Sequence, residues 1–250
     1  MTPYLELSMR SRGVRVVAGV GDAPVLFNDP EGQGRQARMP INWWLTHGPN
    51  LLTARISPLA GAKAPPLLDL GVVFPDDKEP PLCRVGWSLP AGVDFAPFEI
   101  RMPFHPPKVG MSRLWTDAHS IEELTAPQRA GLRDLAMSLH AAFAAKDVDA
   151  IMRLLDERVR EMSLAFEMDE AKHRRNVRQD FSELVCGDEY GLVPVDPGAV
   201  RITPCFGGRV FHLTHEDAPL IATLPTSKSW PTTMQVFAAM IHGQWRIVRA

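Results

Sequence analysis

At 250 residues the chain is long enough for two domains of ordinary size, so core volume does not limit the fold. Hydrophobic residues make up 45% and charged ones 22%, and a formal net charge of -2 lacks the basic excess that binding a phosphate backbone demands, which argues against nucleic acid as a partner. Cys83, Cys186 and Cys205 are far apart and form no C-x-x-C pair, against both a disulfide framework and a structural zinc site and in favour of a reducing, cytoplasmic setting. The start, Met1 to Arg10, lacks the basic region and apolar stretch of a signal peptide, so a periplasmic setting requires a leader already removed. No apolar run reaches the roughly 18 residues of a membrane span.

Proline is dense from Pro24 to Pro107, absent between Pro127 and Pro194, and moderate again to Pro231, which predicts a β-rich first half and a second half that opens with helices. Short alternating runs occur at Tyr4, Leu5 and Leu7, at Val14 to Val17, and at Val25 to Phe27 before an Asn28-Asp29-Pro30 turn. The clearest strand is Leu52 to Ser57, with Leu52, Ala54 and Ile56 on one face and Thr53, Arg55 and Ser57 on the other. Cys83–Trp87 and Phe98–Phe104 are two further predicted strands, and Pro58, Pro75, Pro90, Pro97 and Pro103 end or edge these strands because proline cannot donate to a ladder.

Between Met39 and Ile56 a short apolar segment, the Gly48-Pro-Asn50 turn and an alternating strand follow one another. Gly48 takes a positive φ there, and the Asn50 side chain bonds nearby backbone. The segment resembles a recurrent element of jelly-roll, carbohydrate-binding-like β-sandwiches, and the resemblance implies that architecture for residues 1–112. Trp43 and Trp44, read as extended, point to opposite faces and are expected to be mainly structural; an exposed one would mark a sugar platform or a protein interface. Pro103 to Ser112 reads as the domain edge, docked by Leu114 and Trp115.

Leu132, Leu135, Ala136, Leu139 and Phe143 form one stripe of an amphipathic helix that begins at a Thr125 cap with Pro127 in its first turn. A second stripe, Ile151, Leu154, Leu155, Val159 and Met162, follows an Asp147 cap and makes a helical hairpin with the first. A third helix runs from about Asp169 to Leu184, with Val177, Phe181, Leu184 and Val185 inside and Lys172-His-Arg-Arg175 on a solvated face. Strands are then predicted at Val200–Thr203, Arg209–Thr214, Pro219–Leu224, Met234–Ile241 and Gln244–Val248, with turns at Gly207-Gly208 and His242-Gly243. In the last strand Trp245 and Ile247 share one face, and Arg246 and Val248 the other.

This order, carried by Ala144-Ala-Lys-Asp-Val-Asp149 and Gly243-Gln-Trp-Arg-Ile-Val-Arg249, resembles the cystatin-like cone of nuclear transport factor 2 and SnoaL-like proteins over roughly residues 125–250. The resemblance implies three helices on a curved antiparallel sheet for residues 113–250, a cone whose mouth holds a ligand, catalytic residues or nothing in different members, and a homodimer through the open sheet face. The fold class is therefore α+β, an antiparallel β-sandwich followed by a cone. Function does not travel with such a fold.

Enzymes of that superfamily often place an Asp–His or Tyr–Asp pair in the cone, and by that resemblance His212, His215 and Glu216 are the catalytic candidates, with Cys205 and Trp230 nearby. Alternation along the strand sets His212 opposite Phe211 and Leu213, so a solvated His212 is expected, and His215-Glu-Asp217 reads as a turn before Pro219. His140 lies at the edge of its helical stripe, and Asp147 and Asp149 are occupied by capping. No His-x-x-x-His or His-x-His pair supports a metal, and no glycine pair stands in the strand-to-helix setting that cradles phosphate, so no metal or cofactor is expected. Gly-x-Ser-x-Gly is missing as well.

The reading therefore leans to a non-enzyme: a protein-binding accessory protein, in the manner of bacterial secretion-system or toxin-immunity partners, with Trp43, Trp44 and Trp230 as candidate contact residues. A cyclase- or isomerase-like enzyme that binds a small molecule in the cone is the alternative, and carbohydrate binding by the sandwich a weaker one.

Overall fold

The computed structural model describes residues 4–27, 35–59, 61–62, 64–76, 79–187, 189–225 and 232–250. The Asn28-Asp29-Pro30 turn and Trp230 lie outside them. The chain is mixed α and β with antiparallel sheets, and it divides into two compact units, Met1–Ser112 and Arg113–Ala250.

The first unit comprises β1 (Glu6–Arg12), β2 (Val14–Val20), β3 (Ala23–Phe27), β4 (Arg35–Pro40), β5 (Asn50–Pro58), β6 (Leu67–Val73), β7 (Cys83–Ser88) and β8 (Phe98–Phe104). They form two four-stranded sheets, ordered β4-β1-β6-β7 and β3-β2-β5-β8. Period-two burial explains both. Leu7, Met9, Leu68, Leu70 and Val72 in one sheet, and Val16, Ala18, Val20, Leu52, Ala54 and Ile56 in the other, are at most 1% exposed, while the residues between them, apart from the buried Gly19 and Gly71, are half-buried or exposed. The sequence reading did not anticipate β4 and β6: β4 is rich in arginine, and the apolar run of β6 follows two prolines instead of alternating cleanly.

The Gly48 turn forms as expected, with φ at 88° and Asn50 closing the loop by accepting from Thr46 N at 2.9 Å and donating to Thr46 O at 2.9 Å. Trp43 and Trp44 correct the extended reading. They sit in a 3-10 turn, Asn42–Trp44, which the Asn42 side chain anchors by accepting from Leu5 N at 2.7 Å, and both indoles are buried, edge to face at 6.3 Å.

Among the described residues the second unit holds five helices, α1 (Leu114–Asp117), α2 (Ala126–Ala144), α3 (Val148–Leu154), α4 (Asp156–Ala165) and α5 (Glu170–Val185). Seven strands follow: β9 (Val200–Cys205), β10 (Val210–His215), β11 (Ala218–Pro219), β12 (Ile221–Ala222), β13 (Thr233–Met234), β14 (Val236–Ile241) and β15 (Gln244–Arg249). Thr125 and Gln128 make a reciprocal capping box at the start of α2, and Asp147 and Asp169 cap α3 and α5.

Five helices replace the expected three. The Ile151-to-Met162 stripe is interrupted at Leu155, which leaves helical geometry while staying fully buried, and Asp156 and Glu157 then occupy the first turn of a fresh helix, where its dipole favours acids. The expected Pro219–Leu224 strand is reduced to the two short pieces β11 and β12.

The main sheet pairs β9, β14 and β11 with β10, and β15 with β14. Its core face and the helices share one buried cluster, in which Leu132, Leu139 and Phe143 of α2 and Val177 and Phe181 of α5 join Phe211, Leu213, Ala238 and Ile247. Trp245 packs against this cluster, with its ring perpendicular to that of Phe211 at 5.5 Å. A register shift at Phe237/Ala238 changes the tail of β15 from the simple alternation expected: Ile247, Val248 and Arg249 are all buried.

Candidate functional site

β10 and β14 set His212 directly opposite Phe237, and the two rings stack at 4.4 Å with planes 15° apart. His212 Nε2 lies 2.7 Å from Gln235 Oε1, an arrangement in which the ring donates. The imidazole is 7% exposed, contrary to the solvated position expected, because this second face of the sheet is buried too, along with Val210, Phe237 and Ala239. Burial lowers the His212 pKa, against a smaller upward pull from the Gln235 bond.

The other two catalytic candidates are not brought to it. His215 lies three residues along the same strand, hence on the opposite face, and its Nε2 accepts from Asp196 N at 3.3 Å. Glu216 occupies the turn after β10 with φ at 53°, its N–H donating to Ala199 O and its carbonyl accepting from Thr214 Oγ1. His140 Nε2 lies 3.0 Å from Val193 O. Among the described residues no group of three or more His, Cys, Asp or Glu side chains could hold a metal, and no helix is long and apolar enough to cross a membrane. Cys83, Cys186 and Cys205 are free thiols.

Two clusters went unseen in the sequence. The first is buried and charged. Arg249 is 1% exposed and Glu161 2%, and Glu161 Oε2 accepts from Leu114 N at 3.0 Å, while Arg158 Nε donates to Ala250 O at 2.8 Å. Burial, opposed by Glu161, pulls Arg249 down to about 9; burial, opposed by Asp180, pulls Arg158 to about 10. Both remain cations at neutral pH, held between acids on α4 and α5. Glu157 is paired with Arg160 on the same helix. This network joins β15 to α1, α4 and α5, and its geometry is that of a structural lock.

The second cluster is aromatic and half-exposed. Trp87 of β7 meets Phe95 at 5.0 Å and Phe98 of β8 at 5.1 Å, and the intervening loop leaves Val93 44% exposed. Val85 and Trp87, with Phe98, Ile100 and Met102, occupy inward registers of two terminal strands, yet all five are only half-buried. A detectable signal existed: two apolar alternations, each bounded by proline. Trp43 and Trp44, by contrast, are only 8% and 3% exposed.

No protein-family model matches this chain, and no curated protein or solved structure matches it.

Proposed function

We propose that this chain is a non-catalytic accessory protein that recognises another protein. In this reading the two sheets of the first unit face each other as a β-sandwich and the second unit is a cystatin-like cone filled by its own side chains. The observation that carries it is the Trp87–Phe95 corner with Val93: aromatic rings packed on each other and left partly exposed beside an exposed valine are the composition of a protein-binding surface. Support also comes from the buried cluster, whose leucine and phenylalanine side chains occupy the space between helices and sheet where a small ligand would lie. Three free thiols agree with a reducing, cytoplasmic setting.

The test is affinity capture from the source organism with the wild-type chain and with a Trp87→Ala/Phe95→Ala variant. One stoichiometric partner retained by the wild type and lost by the variant is expected. Equal capture by both, or none by either, overturns the reading.

A second reading, a cyclase- or isomerase-like enzyme, is favoured by one observation: a buried, neutral imidazole at His212 held by a single side-chain amide. Saturable binding of a small carbonyl compound that His212→Phe abolishes without unfolding the chain would move the assignment there.

A further inference from the structure

β8 ends its sheet, with β5 on one side and no ladder partner among the described residues on the other. Pro103 lies within this strand opposite Leu51, and since proline has no N–H to give, its nitrogen faces away from β5. In an antiparallel ladder the N–H and C=O of one residue point to the same side, and alternate residues share that side. Arg101 and Glu99 therefore present their main-chain donors and acceptors to the open edge. Pro97 and Pro103 stand three residues on either side of Ile100 and confine any new pairing to Phe98–Met102.

We propose that a second copy of this chain adds to β8 as an antiparallel strand, across a two-fold axis at Ile100. That register sets Glu99 opposite the Arg101 of the second copy, twice by symmetry, and each pair exchanges both main-chain hydrogen bonds. The side chains of Arg101 and Glu99 are 65% and 47% exposed and approach each other only to 3.8 Å within one chain, so both are free to turn toward an opposite charge across the strand.

The charge pattern selects this register over its neighbours. Moving the axis by one residue, a two-residue slip in register, centres it on Glu99 or on Arg101, which opposes like charges and carries a proline into the pairing. On the inward face Phe98, Ile100 and Met102 are half-buried, and in the chosen register Phe98 meets the Met102 of the second copy while Ile100 meets its own mate. Such an interface is isologous, and its chemistry is that of an added strand: main-chain bonds for affinity, alternating side chains for register. It stands apart from the recognition reading, since Trp87 and Phe95 are untouched by the variants below.

Sedimentation velocity at rising concentration tests the dimer. The wild type is expected to reach twice the chain mass of 27.7 kDa, Glu99→Lys and Arg101→Glu each to stay single, and the exchanged pair Glu99→Arg/Arg101→Glu to dimerise again. Circular dichroism establishes that each variant is folded. A register test is independent of charge: in a Cys186→Ser background, oxidised Ile100→Cys is expected to give a covalent dimer, because residue 100 faces itself at a distance that a disulfide spans, and Met102→Cys none. A wild type that stays single up to hundreds of micromolar, a dimer that Glu99→Lys leaves intact, no recovery in the exchanged pair, or equal cross-linking at 100 and 102 each overturns the proposal.

Discussion

Gly131 of α2 lies against the indole of Trp245 on β15, so closely that a Cβ at 131 would stand 3.0 Å from Cδ1 and 3.2 Å from Nε1 of the ring. A glycine inside a helix costs about 1 kcal/mol relative to alanine, so its presence here is offset by contact between the ring and the helix. The indole is also held edge-on by Phe211, with the ring centroids 5.5 Å apart.

Gly131→Ala is therefore expected to destabilise the wild type by about 1 kcal/mol through overpacking. In a Trp245→Ala background the same change should stabilise by about 1 kcal/mol, since only helix propensity remains. Urea denaturation of the four proteins in the cycle reads the sign change. The same sign in both backgrounds would show that the indole does not govern position 131.

Glu161→Ala should be among the most damaging single substitutions in the second unit, at roughly 3–5 kcal/mol, because it takes an acid from beside Arg249 and the acceptor from Leu114 N together. Arg249→Met replaces the cation by an apolar side chain of similar length and should cost less, with the Glu161→Gln/Arg249→Met pair milder than Glu161→Ala alone. Thermal unfolding ranks the three. If Glu161→Ala proves nearly neutral, the buried network carries no stability.

How far the fold was legible depended on how local its determinants are. The caps of α2, α3 and α5 rest on Thr125, Asp147 and Asp169, each bonded to a backbone N–H three residues on, and each is readable from a few neighbouring residues. The break at Leu155 was not, because Leu155 keeps its place in the apolar stripe while its backbone leaves the helix. His212 was misplaced because alternation assigns a face without saying what covers it. Nothing local marks Arg249 as buried, since its acid neighbours on α4 are distant in sequence. The Trp87, Phe95 and Phe98 corner likewise needs two strands of different sheets to meet before it exists.

Gly208 illustrates a glycine that the sequence marks only as part of a turn. It adopts φ at 74°, its carbonyl accepts from Ile121 N at 3.0 Å, and a Cβ there would stand 2.0 Å from Ile121 O. Gly208→Ala must shift backbone, and several kcal/mol of destabilisation are expected from the clash and the left-handed conformation together. Gly207, also at positive φ but with open space around its Cβ position, should tolerate Ala at about 1 kcal/mol. Equal costs at 207 and 208 would show that the conformation alone matters.

The pH dependence of stability follows from the histidines that burial keeps neutral. His212 is lowered from its ordinary 6.5 by desolvation, and His173 by desolvation and then by the Arg158 charge, with Asp180 opposing. Below pH 6.5 the unfolded chain takes up protons that the folded chain refuses, so it binds more protons, and stability falls as the solution is acidified until the folded value is reached. Above 6.5 both states are neutral at these sites and the contribution is fully present. His212→Phe keeps a ring against Phe237 and removes the titration, and adding Gln235→Leu avoids leaving the amide unbonded. The denaturation midpoint of the His212→Phe/Gln235→Leu chain should fall less steeply between pH 7 and pH 5 than that of the wild type, with His173 accounting for part of the remaining slope. An unchanged slope would mean that His212 is free to accept a proton in the folded chain, and the buried, stacked imidazole would have to be abandoned.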